Sequence, residues 1–384
     1  MAKVLKDVVV LDMGTFITGP AAGMLLADLG ADVIKVEQPG TGDPFRAFNG
    51  GLYSPHFQTY NRNKRSVTLD TKNAADLARL DELVARADVF IQNFRPGVAK
   101  KLSVDAARLQ AINPKLVYCS ISGFGPDGPD RDRPAFDTVA QAASGFLRLL
   151  INPKHPRVVG PAIADAVTGF YAAQGVLAAL YERRTTGKGR LVEVSMFESM
   201  CHFNLDDFTH YLSEDQVMGP YSRPNVSQSY VFECSDGAWI ALHMSSPPKF
   251  WENLAEAIGK PDMLSQPAFS DRKNRIENYD AVAAFLAPIF KTRPLAEWCE
   301  RLLKLEVPHS PVRNTPDVLA SPQAKHLQIE ATAPHPLGGT YHTIRSPISF
   351  DGERPLDITA PPTLGQHNEE ILGSGAAAPL KAAG

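Results

Sequence analysis

Residues 8–37 read VVVLDMGTFITGPAAGMLLADLGADVIKVE, and the fold follows from the way this stretch changes its period. Residues 8–11 are an unbroken aliphatic run, the pattern of a strand buried on both faces. Residues 14–20 (GTFITGP) are bounded by glycines and read as a turn, residues 21–29 have helical spacing, and residues 31–37 form a second buried strand. Strand, turn, helix and strand make a βαβ unit, and its strands must run parallel. The turn is not GxGxxG and lacks a GK[ST] ending, so it carries neither the dinucleotide nor the P-loop signature. Glu37 nevertheless falls where a ribose-binding acid would follow a dinucleotide loop, which leaves a nicotinamide cofactor as a secondary reading of this stretch.

The pattern repeats outward. Residues 66–69 read as a strand, 74–87 as a helix, 88–92 as a strand, 104–111 as a helix and 116–121 as a strand. This alternation predicts an α/β fold with a doubly wound parallel sheet, whose ligand belongs at the carboxyl ends of the strands. Segments expected there (GTGDPFR, NRNKR, LDTK, NFRPGVAKK and GFGPDGPDRDRPAFD) bring Arg46, Arg62, Lys64, Arg65, Lys72, Arg95, Lys100 and Lys101 towards one rim. Cations and free loop amides suit a phosphorylated ligand, although charged loop residues are commonly just solvated.

Residues 158–189 (VVGPAIADAVTGFYAAQGVLAALYERRTTGKG) predict a mostly buried helix. Phe170, Ala173, Leu177, Leu180 and Tyr181 recur at helical spacing, Gly169, Ala172 and Gly175 allow close packing, and Arg183 and Arg184 precede Gly187 at the end. Asp165 stands at its start. The residues alone leave two readings open: a helix N-cap, or a carboxylate nucleophile in a dry pocket.

Residues 191–196 read as a strand and 197–212 as a helix. Residues 217–226, rich in proline and glycine, resemble a connector, and 229–243 contain two strands about Asp236-Gly237. Helices are expected over 250–258, 281–290 and 295–304, with loop-like chain from 321 and a last feature at 364–372 (LGQHNEEIL) before an Ala/Gly-rich tail expected to be disordered. The expected organisation is a large α/β domain beginning with residues 1–212, a linker over 213–228, a small α+β domain over 229–320, and a return segment over 321–384 that completes the large domain.

A chain of 384 residues with 44% hydrophobic and 21% charged residues has the composition of a globular enzyme. A formal net charge of −3 gives no general attraction to nucleic acid or anionic membrane. No signal-peptide pattern opens the sequence, and no run is read as approaching a membrane span. Cys119, Cys201, Cys234 and Cys299 form no CxxC or Cys/His cluster, so reduced cytoplasmic thiols are expected, with no metal site.

Taken together, LADLGADVIKVEQPGTGDPFR, NRNKRSVTLDTK, NFRPGV, the GFGPDGP loop, IADAVTG and LGQHNEEIL resemble the class III coenzyme A transferase family nearly end to end. The resemblance implies an interlocked homodimer, a large domain built from both chain ends and a small domain between. It also implies CoA transfer from an acyl-CoA to a carboxylic acid, with Asp165 as nucleophile and no tightly bound cofactor. The implied CoA contacts are Ile17, Thr18, Gln38, Leu69, Asp70, Thr71, Lys72, Asn93, Phe94, Arg95, Lys101, Pro134, Ala135, Phe136 and Asp137. Lys72, Arg95 and Lys101 would neutralise phosphates, and Phe94 would flank the adenine or pantetheine. Asp137 matches an acid near the active site of formyl-CoA transferase, and it equally reads as the cap of a helix over 138–150.

Departures from that enzyme stand out. Ile17 replaces a glutamine, Gln38 replaces an arginine, and residues 226–230 (VSQSY) stand where it carries a run of glycines. They point away from formyl-CoA with oxalate and towards a larger or more apolar acid, such as a C4 to C5 dicarboxylate or an aryl acid. Phe136 aligns with the histidine of α-methylacyl-CoA racemase and cannot carry a proton, so transfer is expected over racemisation. Acyl-CoA isomerisation and non-catalytic acyl-CoA binding remain the alternatives.

Overall fold

The computed structural model describes residues 3–245, 247–354 and 357–373. The disorder expected of the Ala/Gly-rich tail concerns residues outside these. The chain divides into two compact units: one takes Met1–Leu147, Val158–Leu205 and Lys325–Gly384, the other Arg148–Arg157 and Asp206–Ala324.

The first unit is built on six parallel strands: β1 (Val9–Asp12), β2 (Asp32–Glu37), β3 (Lys64–Thr68), β4 (Val89–Gln92), β5 (Val117–Ser122) and β6 (Leu191–Ser195). Their order is β3-β2-β1-β4-β5-β6, with Val10 paired to both Val33 and Val89. The chain therefore winds one way from β1 and then back from β4, leaving a crevice between the carboxyl ends of these two neighbours. The aliphatic runs are consumed as expected: Val10, Leu11, Val89, Phe90, Ile91 and Val117 are wholly buried.

The helix after β1 starts at Thr18 and runs to Asp28, so part of the expected turn is helical, with Pro20 in the first turn, where its missing N–H costs nothing. The Ile163–Thr186 helix has 24 residues and is long and apolar enough by composition to cross a membrane, contrary to the sequence reading. Its charges sit only near its two ends, and Ala164, Ala172 and Val176 are wholly buried in the unit's core. Its buried face is made of small residues. A Cβ on Gly169 would meet Ala21 Cβ at 2.8 Å and the Thr18 carbonyl at 3.2 Å, so this helix and Thr18–Asp28 touch nearly backbone to backbone. Phe170 and Tyr181, expected on the inward stripe, are instead 61% and 76% exposed. The expected helix over 197–212 is two helices, Met196–Phe203 and Leu205–Glu214.

The return segment contains a hairpin the sequence did not announce, Glu330–Pro334 against Thr340–Ile344, because its strands carry few bulky aliphatic residues. Beyond it Asn368 closes on β3, accepting from the Thr68 amide at 2.8 Å and donating to Thr68 Oγ1 at 2.8 Å.

The second unit carries Ser229–Glu233, Trp239–His243 and His309–Pro311 as an antiparallel sheet, with Gly237 at φ 78° in the expected hairpin turn. Helices Pro248–Ala257, Tyr279–Phe290 and Leu295–Lys304 cover it around Trp251, Phe290 and Trp298. The expected connector includes a short helix, Ser222–Ser227.

Candidate active site

The turn after β1 is held from several sides. Asn93, just past β4, accepts from the Thr15 amide at 2.8 Å and donates to the Thr15 carbonyl at 2.7 Å and Thr18 Oγ1 at 2.9 Å. Lys35 donates to the Gly14 carbonyl at 2.8 Å, Asp12 accepts from the Gly14 amide at 2.9 Å, and Asp43 accepts from the Phe16 amide at 3.1 Å. Gly14 and Gly19 approach so closely that a Cβ on either would lie 2.8 Å from the other's Cα. Phe16 sits at φ 59°, a left-handed backbone that this clamp must maintain. The rigidity places Phe16, Ile17 and Thr18 on the β1/β4 crevice.

Beneath the turn lies a buried charge network. Lys64 meets Asp12 at 2.7 Å, Lys35 meets Asp43 at 3.0 Å, and Arg46 grips both Glu37 oxygens at 2.7 Å. Burial pushes Lys64 down to about 8 despite Asp12. Arg62 is paired with Asp28, and Arg65 with Asp32 and Glu370. Arg46, Arg62, Lys64 and Arg65 are thus spent on internal pairs and do not belong to a phosphate-binding rim. Glu37, wholly engaged by Arg46 and also accepting from Ser66 Oγ, does not await a ribose, which removes the nicotinamide reading.

The crevice opens into a cavity of about 350 Å³ lined by Ile17, Thr18, Asn93, Phe94, Arg95, Ala135, Phe136 and Asp165, with Phe16, Arg131, Arg133 and Met196. Eight residues expected at the site therefore share one cavity. Gln38, Leu69, Asp70, Thr71, Lys72, Lys101, Pro134 and Asp137 are not in its lining. Leu69 is 1% exposed inside the core and its amide is bound to the Glu37 carbonyl, so neither its side chain nor its amide is free to meet a ligand. Gln38, Lys72 and Lys101 are exposed, and Asp70 accepts from the Lys72 amide at 3.0 Å in the turn after β3. The loop after β5 folds back through Gly123, where a Cβ would stand 2.4 Å from Ala135 Cβ.

Asp165 is not an N-cap. The cap position is Ala162, and Asp165 lies within the first turn, presenting its carboxylate to the cavity. The capping acid is Asp137, whose Oδ1 accepts from the Ala164 amide at 2.8 Å and the Asp165 amide at 3.2 Å, while Oδ2 accepts from Gln141 at 2.6 Å. Asp137 also opens its own helix, Asp137–Ala143, but the helix end it satisfies is the one bearing Asp165. The Ala164 and Asp165 amides are thus occupied by Asp137 and do not ease an anion on Asp165. Burial, and then the neighbouring Asp137 charge, push the Asp165 carboxyl up to about 7. The Tyr60 hydroxyl is raised by burial and then by the charges of Asp165 and Asp137. Sequence reading missed Tyr60, Arg131 and Arg133; the two arginines lie in a loop already singled out, whereas nothing local marks Tyr60. Among the described residues no group of His, Cys, Asp and Glu forms a metal-binding cluster.

CoA-transferase family III matches residues 5–368 of the chain. A formyl-CoA:oxalate CoA-transferase of Streptomyces avermitilis is 34% identical over 97% of this chain and 95% of its own. A succinyl-CoA–D-citramalate CoA-transferase of Chloroflexus aurantiacus is 30% identical over 96% and 93%. The crystal structure of a CAIB/BAIF family protein from Brucella suis superposes with a TM-score of 0.84 at 31% identity, covering 96% of this chain and 98% of that one. The chain belongs to CoA-transferase family III and is a class III CoA-transferase.

Proposed function

We propose that the protein moves coenzyme A from an acyl-CoA donor to a free carboxylic acid through covalent intermediates on Asp165. The observation that carries this is the Asp165 carboxylate lining a cavity at the switch point of the sheet, fixed on the first turn of a rigid helix. One Asp165 oxygen attacks the thioester carbonyl, the carbon–sulfur bond breaks, and CoA leaves as thiolate, giving a mixed anhydride. The thiolate then attacks the Asp165 carbonyl of that anhydride, releasing the donor acid with one Asp165 oxygen and leaving an aspartyl-CoA thioester. An acceptor carboxylate reverses the two steps. No proton transfer or resident cofactor is needed, provided Asp165 is ionised. Burial supports this chemistry twice: it raises the basicity of the carboxylate, and it keeps water from the anhydride.

Of the cations expected on the rim, Arg95, Lys100, Lys101 and Lys72 are left for the CoA phosphates once the internal pairs are removed. The Asp165 cavity has an apolar wall of Phe16, Ile17, Ile121, Phe136 and Met196, which favours an acyl group larger or less polar than formate and oxalate. Phe136 stands in this wall, and its ring carries no proton for racemisation. The working form is a homodimer in the cytoplasm: exposed Phe170 and Tyr181 on one helix and Phe203 nearby supply apolar surface for a second copy. The test is peptide mass spectrometry after incubation with succinyl-CoA and hydroxylamine. A hydroxamate on Asp165 that requires acyl-CoA supports the reading. An unmodified peptide from protein that binds CoA, with solvent deuterium entering the substrate α-carbon, replaces it with isomerisation.

A further inference from the structure

A second cavity, of about 750 Å³, adjoins the Asp165 cavity, and the two share Arg133. Its wall is largely apolar, made by Phe124, Val139, Ala142, Ala143 and Phe197, with Phe124 and Phe197 in ring contact at 6.1 Å. Among the described residues Arg133 is the one cation on that wall. Its guanidinium lies over the Phe124 ring at 5.0 Å, and its acidic partner, Asp130, is exposed and 3.4 Å away. An exposed pair of this kind is weak and exchanges readily for another carboxylate, while the ring beneath holds the guanidinium in place. Asp127 and Asp130 lie on the same groove and would repel a second negative charge on its occupant.

We propose that Arg133 receives the carboxylate of the acceptor acid at the junction of the two cavities, and that the Phe124–Phe197 groove takes its apolar body. The acceptor class is then aryl and branched-chain monocarboxylic acids rather than dicarboxylates. Arg133 acts here as a specificity-determining residue: it aligns the acid for attack on the aspartyl-CoA thioester. This inference rests on the transferase reading above.

The experiment uses the full-length enzyme in two stages. Loading of Asp165 by succinyl-CoA is measured first in a single turnover, and discharge to phenylacetate, 3-methylbutanoate, succinate, oxalate and acetate follows. The expected order places phenylacetate and 3-methylbutanoate about tenfold or more above succinate and oxalate in kcat/KM. Arg133→Gln raises the phenylacetate KM about tenfold or more with kcat within about threefold, and Arg133→Lys recovers part of the loss. Ala142→Phe, a filling substitution at an exposed position on the groove, lowers kcat/KM for phenylacetate about tenfold and spares acetate. Normal loading with succinate or oxalate preferred, or with acceptor KM indifferent to both Arg133→Gln and Ala142→Phe, overturns the inference and leaves the transferase reading standing. Failure of any acyl-CoA to load wild-type Asp165 overturns both.

Discussion

Replacing Asp137 with asparagine isolates one cause of the raised Asp165 carboxyl. The amide oxygen of Asp137→Asn still accepts from the Ala164 and Asp165 amides, so the helix start keeps its cap. The new amide nitrogen can face Gln141 Oε1, which has no hydrogen-bond partner among the described residues. Only the charge is lost. The Asp165 carboxyl stands near 7, about three units above its ordinary value, with burial the larger cause and Asp137 the smaller. The charge accounts for the smaller part of that rise, and its removal lets the carboxyl fall back towards its ordinary value. In the variant the carboxyl titrates below 7, so at pH 6 its ionised fraction rises above the native value of about one tenth. Rapid-quench intact-mass measurement of the CoA adduct, in single turnovers from pH 5.5 to 9, should show loading faster at pH 6, by up to about tenfold, and unchanged at pH 8. An unshifted profile, or one displaced to higher pH, would refute the reasoning.

Asp165→Asn should abolish the adduct and alter stability in a pH-dependent way. A carboxyl raised on folding binds more protons in the native state, so wild-type stability falls as pH rises from about 4 to about 7. The variant should match wild type near pH 4 and exceed it at pH 8 by up to about 4 kcal/mol, read as a higher Tm; equal differences at both pH values would contradict the assignment. Lys64→Met leaves Asp12 buried without its partner and should cost about 3–5 kcal/mol in denaturant unfolding, so a loss under about 1 kcal/mol would mean the pair is not structural. Gly169→Val drives a branched side chain into Ala21 and the Thr18 carbonyl, and should cost about 1–3 kcal/mol and slow Asp165 loading; a neutral effect on both would deny the close helix contact.

What was legible in the sequence is what adjacent residues encode. The aliphatic runs at 8–11, 31–37 and 88–92 became β1, β2 and β4, and parallel alternation placed the ligand at strand ends, where Asn93, Phe94 and Arg95 share a cavity with Asp165. What was not legible depends on residues far apart in the chain. NRNKR looks like a cationic rim, yet Lys64 turns inward to Asp12, 52 residues earlier, and Arg62 reaches Asp28, 34 residues earlier. Asp137 was recognised as a cap, but the helix it caps begins 26 residues later, because a side chain may satisfy any helix end that the fold brings to it. Phe170 and Tyr181 fit a helical stripe by spacing, whereas the buried face selected small residues so that two backbones could meet.

Transfer of oxygen through the enzyme tests the central claim most directly. With an acceptor acid labelled by oxygen-18 in its carboxylate, covalent transfer leaves one labelled oxygen on Asp165 after the first turnover, and that oxygen departs in the donor acid released by a later one. Mass spectrometry of the Asp165 peptide and of the released donor acid should find both. Continued CoA transfer with neither species labelled would contradict the covalent mechanism.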